Sequence, residues 1–288
     1  MLRLFLQVVT GLMFLVEASA VERPHAVIFD LDDTIFDTNC RTLAVLQEVG
    51  RELDLKPLQN LTYEQVDYYC KTTVERTGLK DPALLETICG DPKQGTLTTS
   101  EWGKRFFRDP AFLQHDCIMP GAVDFVASIA ERLDAVVLYL SGRSAEALGE
   151  GTEAQLAHHR LYGYTTGALD TTLARIYFKP DADTSEDDAF KRQQLAKIRK
   201  QFVIRAVFDD SRRNVNMFRT ELPDIIPIIR PIRNILTRDD EAPGILRITN
   251  YLYDCTLGDD GRVAVVSSNQ ALLKDLLNEI VATPAASY

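Results

Sequence analysis

Short apolar runs alternate with longer stretches of helical period through most of this chain. Residues 26–31, 135–140, 173–178, 202–208 and 225–229 read as buried strands. Residues 122–133, 144–159, 187–200 and 212–219 place apolar side chains at three- and four-residue spacing, the mark of an amphipathic helix. Strands joined through helices of that length are linked by crossovers, not hairpins. The pattern therefore predicts an α/β fold with a parallel sheet covered by helices on both faces. Residues 38–118 break the rhythm. They have few β-branched runs and show helical period at 40–53, 62–76, 82–89 and 100–108, with start signals at Thr62, Asp81-Pro82 and Ser100. They are expected to form a compact helical insert, ending before the break at Pro120-Gly121. Past residue 231 the pattern weakens. Residues 243–253 are expected as a helix, 255–266 as a hairpin around Gly258-Asp259-Asp260-Gly261, and 270–281 as an amphipathic helix, the whole extension packed on the core.

The N-terminus has its own signature. Arg3 precedes a mostly apolar stretch from Leu4 to Val16, and Ala18-Ser19-Ala20 fits a small-x-small cleavage site. Residues 1–20 thus read as a signal peptide, too short to span a bilayer unaided, for an exported protein, periplasmic or extracellular. An N-terminal anchor or a buried apolar segment is the alternative, and a cytoplasmic protein follows if there is no signal. Five cysteines, at 40, 70, 89, 117 and 255, show no CxxC pair or metal-finger spacing, and their odd number leaves one unpaired in a monomer. Cys70 and Cys89 are placed to bridge two helices in an oxidising compartment, or to pack as small apolar residues. The net charge of −10 argues against a nucleic-acid binder, which needs a basic face.

The candidate chemistry sits at strand ends. The first strand runs into Asp30-Leu31-Asp32-Asp33-Thr34. In an extended strand residues i and i+2 share a face, so Asp30 and Asp32 should converge where open α/β sheets bind ligands. Two carboxylates ~5 Å apart repel by roughly 3 kcal/mol at an effective dielectric of about 20, a cost that a cation or a shared proton offsets. The strand at 135–140 leads into Ser141-Gly142-Arg143, and that at 202–208 into Asp209-Asp210-Ser211-Arg212-Arg213-Asn214. Between them an acidic stretch, 181–188, is followed by Ala189-Phe190-Lys191-Arg192.

These four segments, in this order, resemble the motifs of the haloacid dehalogenase-like (HAD) phosphatases: an apolar strand then DxDxT, a strand ending in Ser or Thr, a lysine, and a strand ending in DD or GDxxxD. The resemblance covers about residues 26–230. It implies a Rossmann-like core at 21–37 and 119–230, with 38–118 as a helical cap of the C1 type. It also implies two-step phosphoryl transfer with Mg²⁺ as cofactor. Asp30 is the nucleophile, Asp32 the acid and base, and Lys191 the ammonium that holds the nucleophile and the phosphoryl group, with Lys179 as its rival. Thr34, Ser141, Gly142 and Arg143 are expected around the phosphoryl oxygens. Asp30, Asp32 through its backbone carbonyl, Asp210, Asp209 and Asn214 are expected around the metal. An acid at position 32 fits phosphatases and mutases rather than dehalogenases, whose halide leaves unprotonated. The resemblance implies a phosphomonoester hydrolase. The acidic stretch before Lys191-Arg192 is also similar to phosphatase domains that act on nucleic-acid ends, but the net charge of −10 counts against a polymer. A small-molecule ester with no nucleic-acid partner is therefore expected, and the short apolar segment leaves no stable membrane span once the signal is removed. A phosphomutase and a non-catalytic binding protein on the same fold are the alternatives.

Overall fold

In the computed structural model the residues described are 23–133, 135–161, 174–229, 245–248 and 251. Strand β1 (His25–Phe29) is followed by a two-residue strand, β2 (Phe36–Asp37). The insert then folds as α1 (Asn39–Glu52), α2 (Lys56–Gln59), α3 (Cys70–Arg76), α4 (Pro82–Cys89) and α5 (Glu101–Arg108), with short 3₁₀ turns between. Strand β3 (Cys117–Ile118) returns to pair antiparallel with β2, so the two ends of the insert are zipped together. The rest alternates: α6 (Ala122–Leu133), β4 (Val136–Ser144), α7 (Ala145–His158), β5 (Ala174–Lys179), α8 (Asp187–Ile198), β6 (Val203–Phe208), α9 (Arg212–Glu221), β7 (Ile226–Ile229) and β8 (Leu246–Arg247).

The six long-range strands form one parallel sheet in the order β5-β4-β1-β6-β7-β8, the α/β architecture that the alternating pattern predicts. Strand β1 lies near the centre and shows how the pleat divides the core. Val27 and Phe29 join Phe125 and Val126 of α6 and Leu156 of α7, while Ala26 and Ile28 join Phe190 and Leu195 of α8 and Phe218 of α9. Alternate residues of a strand point to opposite faces, so a strand buried on both sides reads as one continuous apolar run.

The insert has its own core. Val45, Leu46 and Val49 of α1 pack with Val74, Leu85, Ile88, Trp102 and Phe106. Two disulfides staple it: Cys70–Cys89 joins α3 to α4, and Cys40–Cys117 ties the start of α1 to β3. The second of these has no counterpart in the sequence reading. Gly103 is required where α5 meets the preceding turn, because a Cβ there would lie 1.8 Å from the Leu97 carbonyl oxygen.

Several expectations need correction. The helix expected at 62–76 is two pieces, a 3₁₀ turn at Tyr63–Gln65 and α3 from Cys70. Thr62 and Gln65 close a capping box on the turn, and the Asp67 N–H goes to the Thr73 hydroxyl instead of a helical carbonyl. Strand β4 runs to Ser144, not 140, and it is Ser144 that caps α7 by accepting from Ala147 N–H. The helix expected at 243–253 is contradicted by β8, which extends the sheet beside β7. Ile248 and Tyr251 are buried in the core beneath it. The expected signal segment, the hairpin at 255–266, the helix at 270–281 and Cys255 lie outside the described residues.

Candidate active site

Asp30 follows the last residue of β1, and Asp209 and Asp210 follow β6, its neighbour in the sheet. The Asp30 N–H donates to the Phe208 carbonyl (2.8 Å), which locks the two strand ends together. As a result, carboxylate oxygens of Asp30, Asp209 and Asp210 lie within 4.8 Å of one another, all three residues buried. Lys191, 1% exposed on α8, reaches into this cluster from the sheet face. Its ammonium lies 2.8 Å from Asp209, 3.0 Å from Asp30 and 3.3 Å from Asp187. Lys179 points elsewhere and donates to the Ser185 carbonyl.

The electrostatics are unbalanced. Burial, reinforced by Asp209, pushes the Asp30 carboxyl up to about 8 despite Lys191. Burial and the charges of Asp209 and Asp30 hold Asp210 well above the carboxylate range. Burial alone would depress Lys191, but Asp209 and Asp30 hold its proton far more tightly than usual. One ammonium among Asp30, Asp187, Asp209 and Asp210 leaves negative charge that a divalent cation would neutralise. An all-oxygen donor set of this kind suits Mg²⁺.

Asp32 lies apart from this cluster. The chain leaves the strand at Phe29 and turns tightly, with Ile35 and Phe36 N–H both donating to the Leu31 carbonyl. Position 32 is therefore set by a turn rather than by strand alternation. Its carboxylate accepts from Arg41 (2.6 Å) and from two nitrogens of Arg143 (2.6 and 3.1 Å). Burial would raise its pKa, yet these two guanidiniums hold it well below the usual carboxylate range. The repulsion anticipated between Asp30 and Asp32 is thus relieved by separate cations, Lys191 for one and the arginine pair for the other. Behind them, buried Asp116 accepts from Arg41 (2.8 Å), Arg143 (2.9 Å) and Gln155 (3.0 Å). Arg41 belongs to α1 of the insert, and Asp116 stands just before β3.

This geometry revises three of the expected roles, those of Arg143, Thr34 and Asn214. Arg143 cannot greet a phosphoryl group, because all five of its N–H donors are taken by Asp32, Asp116, Thr152 and Gln155. Thr34 is fully buried, its hydroxyl without a hydrogen-bond partner among the described residues and outside the cavity lining. Asn214 commits its amide nitrogen to Asp187 (2.7 Å) and Asp209 (3.1 and 3.2 Å), so it orients carboxylates instead of standing at the cluster as a ligand. The Asp32 side chain is occupied by arginines and takes no part in the three-carboxylate cluster. Ser141 is buried at the end of the β4 apolar run and accepts from the Arg143 N–H (3.2 Å). Gly142 lines the cavity, and a Cβ there would fall 2.5 Å from Asp187.

The cluster lies in a cleft of about 1320 Å³ between the sheet ends and the insert. The insert's side is lined by Tyr68, Tyr69, Lys71, Lys80, Trp102 and Arg108 among others. Arg108 is held by Asp181 of the core, and Arg105 is tied to Glu52 and Glu101, so neither presents a free guanidinium. Sequence reading missed Arg41, Asp116 and the tyrosine pair. Nothing in the local pattern marks them, since each acquires its role through contacts across the fold or the cleft.

Known proteins agree with this architecture. A family model for the phosphatase domain of polynucleotide kinase (PNKP) matches residues 93–224. No curated protein matches the chain in sequence. Among solved structures, a Lactobacillus delbrueckii subsp. bulgaricus protein provisionally assigned as a phosphoglycolate phosphatase aligns with TM-score 0.52 and 14% identity, over 91% of this chain and all of that one. A haloacid dehalogenase-like hydrolase of Streptococcus pneumoniae gives TM-score 0.47 and 12% identity over 78% and 93%. The Pnkp1/Rnl/Hen1 RNA repair complex gives 0.41 and 17% over 75% of this chain, which spans only 45% of that one. Residues 93–224 are thus similar to a HAD-type phosphatase domain, and the fold of the chain is that of the Lactobacillus structure.

Proposed function

We propose that this chain is a Mg²⁺-dependent phosphomonoester hydrolase that works through an aspartyl-phosphate on a small phosphorylated substrate. The observation that carries the proposal is the buried Asp30–Asp209–Asp210 cluster with Lys191 at its centre, at the floor of an open cleft. Asp30, Asp209 and Asp210 would hold the metal, which supplies positive charge against the phosphoryl oxygens.

Lys191 aims Asp30 and favours its ionised form against the effect of burial, and the charge of the metal would complete that ionisation. An Asp30 oxygen forms the new bond to phosphorus as the bond to the leaving oxygen breaks. Asp32 carries the proton, giving it to the leaving oxygen and then taking one from the water that cleaves the acyl phosphate. The arginine clamp sets a condition on this role. Asp32 has to loosen from Arg41 or Arg143 before it can hold a proton, and Arg41 rides on the insert. We read the insert as a C1-type cap whose seating over the cleft is thereby coupled to the acid. The two disulfides support an oxidising location and hence the exported reading.

A second reading, a phosphorylated polynucleotide end, is favoured by the PNKP family model. The experiment is phosphate release from small phosphomonoesters and from an end-phosphorylated oligonucleotide, with Mg²⁺ or EDTA, by residues 21–288 and by Asp30→Asn. Release that needs Mg²⁺ and vanishes in Asp30→Asn is expected, with small esters preferred. Turnover by Asp30→Asn at the unsubstituted rate would sink the mechanism, and preference for the oligonucleotide would favour the second reading.

A further inference from the structure

Large apolar side chains exposed to solvent are few among the described residues: Leu53, Tyr68 (39%) and Tyr69 (55%). Two of the three are adjacent in sequence and both line the catalytic cleft. Their rings meet edge to face, centroids 5.0 Å apart and planes at 80°. Among the described residues neither phenol hydroxyl has a hydrogen-bond partner, and neither ring packs into the insert's own core. The other cleft aromatics behave differently. Trp102 and Phe106 stack on each other at 4.5 Å and are nearly buried, and so serve the fold.

The position of the pair is fixed. Tyr69 precedes the first turn of α3, and the next residue, Cys70, is bonded to Cys89 of α4. Tyr68 lies close enough to Asp210, Asp33 and Asp209 for their charges, after burial itself, to push its phenol upward. The tyrosine corner therefore stands in the same cleft as Asp30, Asp32 and Asp210, where the leaving group of a phosphoryl ester bound at Asp30 would also lie. Two rings at right angles make a corner that takes one flat guest, face against one ring and edge against the other. Holding such rings open to water serves no folding purpose, whereas aromatic stacking on a ligand is worth a factor of about ten or more in affinity per ring.

We propose that Tyr68 and Tyr69 form a binding site for an aromatic ring carried by the leaving group, so that the preferred substrates are aryl phosphates or nucleoside monophosphates. The inference rests on the hydrolase reading above and deepens it. The shared chemistry is a flat π face within reach of a phosphomonoester.

The test compares kcat/KM for phenyl phosphate, phosphotyrosine, adenosine 5′-monophosphate, ribose 5-phosphate and glycerol phosphate in the unsubstituted chain, Tyr69→Leu, Tyr69→Phe and Asp30→Asn. Leucine keeps much of the apolar area but removes the π face. The expected result is a preference for aromatic esters over ribose and glycerol phosphates. That ratio should fall about tenfold in Tyr69→Leu and hold in Tyr69→Phe. Whether phenyl phosphate or the nucleotide leads distinguishes the two sources. Equal use of aromatic and non-aromatic esters, or a ratio untouched in Tyr69→Leu, overturns the aromatic site while leaving hydrolysis standing. No release from any ester by the folded chain, or release that persists in Asp30→Asn, overturns both.

Discussion

At Asp32 a single carboxylate oxygen receives two guanidiniums, each anchored in turn by Asp116. Removing one member of such a buried set leaves charges that nothing else can solvate, at a cost of about 3–5 kcal/mol. Arg143→Leu is expected to lower the thermal midpoint strongly, more than Arg41→Lys, which keeps the charge. Circular dichroism melts of the two variants check this, and equal, small shifts would show that the network is not closed to water. Asp30 illustrates the opposite case. Its partner Lys191 was singled out by the resemblance with Lys179 as rival, and the path of α8 across the sheet is what brings Lys191 to 3.0 Å from Asp30.

The strand ends do most of the positioning at the scale of elements. Apolar runs at β1, β4 and β6 were readable because a doubly covered strand leaves no polar position until the sheet ends. The polar residue at each terminus is therefore conspicuous. Boundaries were less readable where side chains compete for backbone donors, as Thr73 does for Asp67. The return of the chain after α7 gives a pH prediction. Burial, and then the neighbouring His158, lower the pKa of His159 from its ordinary 6.5. Its ring also lies against Phe36 of β2, centroids 5.7 Å apart. The unfolded chain thus takes up this proton first as pH falls. The contribution is fully present above about 6.5 and is lost as pH drops through the lower folded-state value. His159→Gln should flatten the fall in melting temperature between pH 7.5 and 5. An unchanged slope would assign that fall to other groups.

Taken whole, the molecule has an insert with its own core set beside a sheet with two. The disulfides fall in the insert and at its neck, closing loops of sequence separation 19 and 77. In the chain-entropy account such loops stabilise by about 3 and about 4.5 kcal/mol. Reduction should therefore open the insert before the sheet. Hydrogen exchange under reducing conditions is expected to show α1, α3 and α4 losing protection while β1, β4 and β6 keep theirs. Simultaneous loss everywhere would mean that insert and sheet unfold as one unit. The sequence by itself determined the α/β order, the helical insert and the aspartates at strand ends, because burial period and strand termination are local properties of the chain. Only the tertiary structure decided that Arg41 and Arg143 meet Asp32, that Thr34 lies outside the cleft lining, that Cys40 meets Cys117, and that two tyrosines share the cleft with Asp30 and Asp210. Those depend on distances between residues far apart in the chain, which no local pattern encodes.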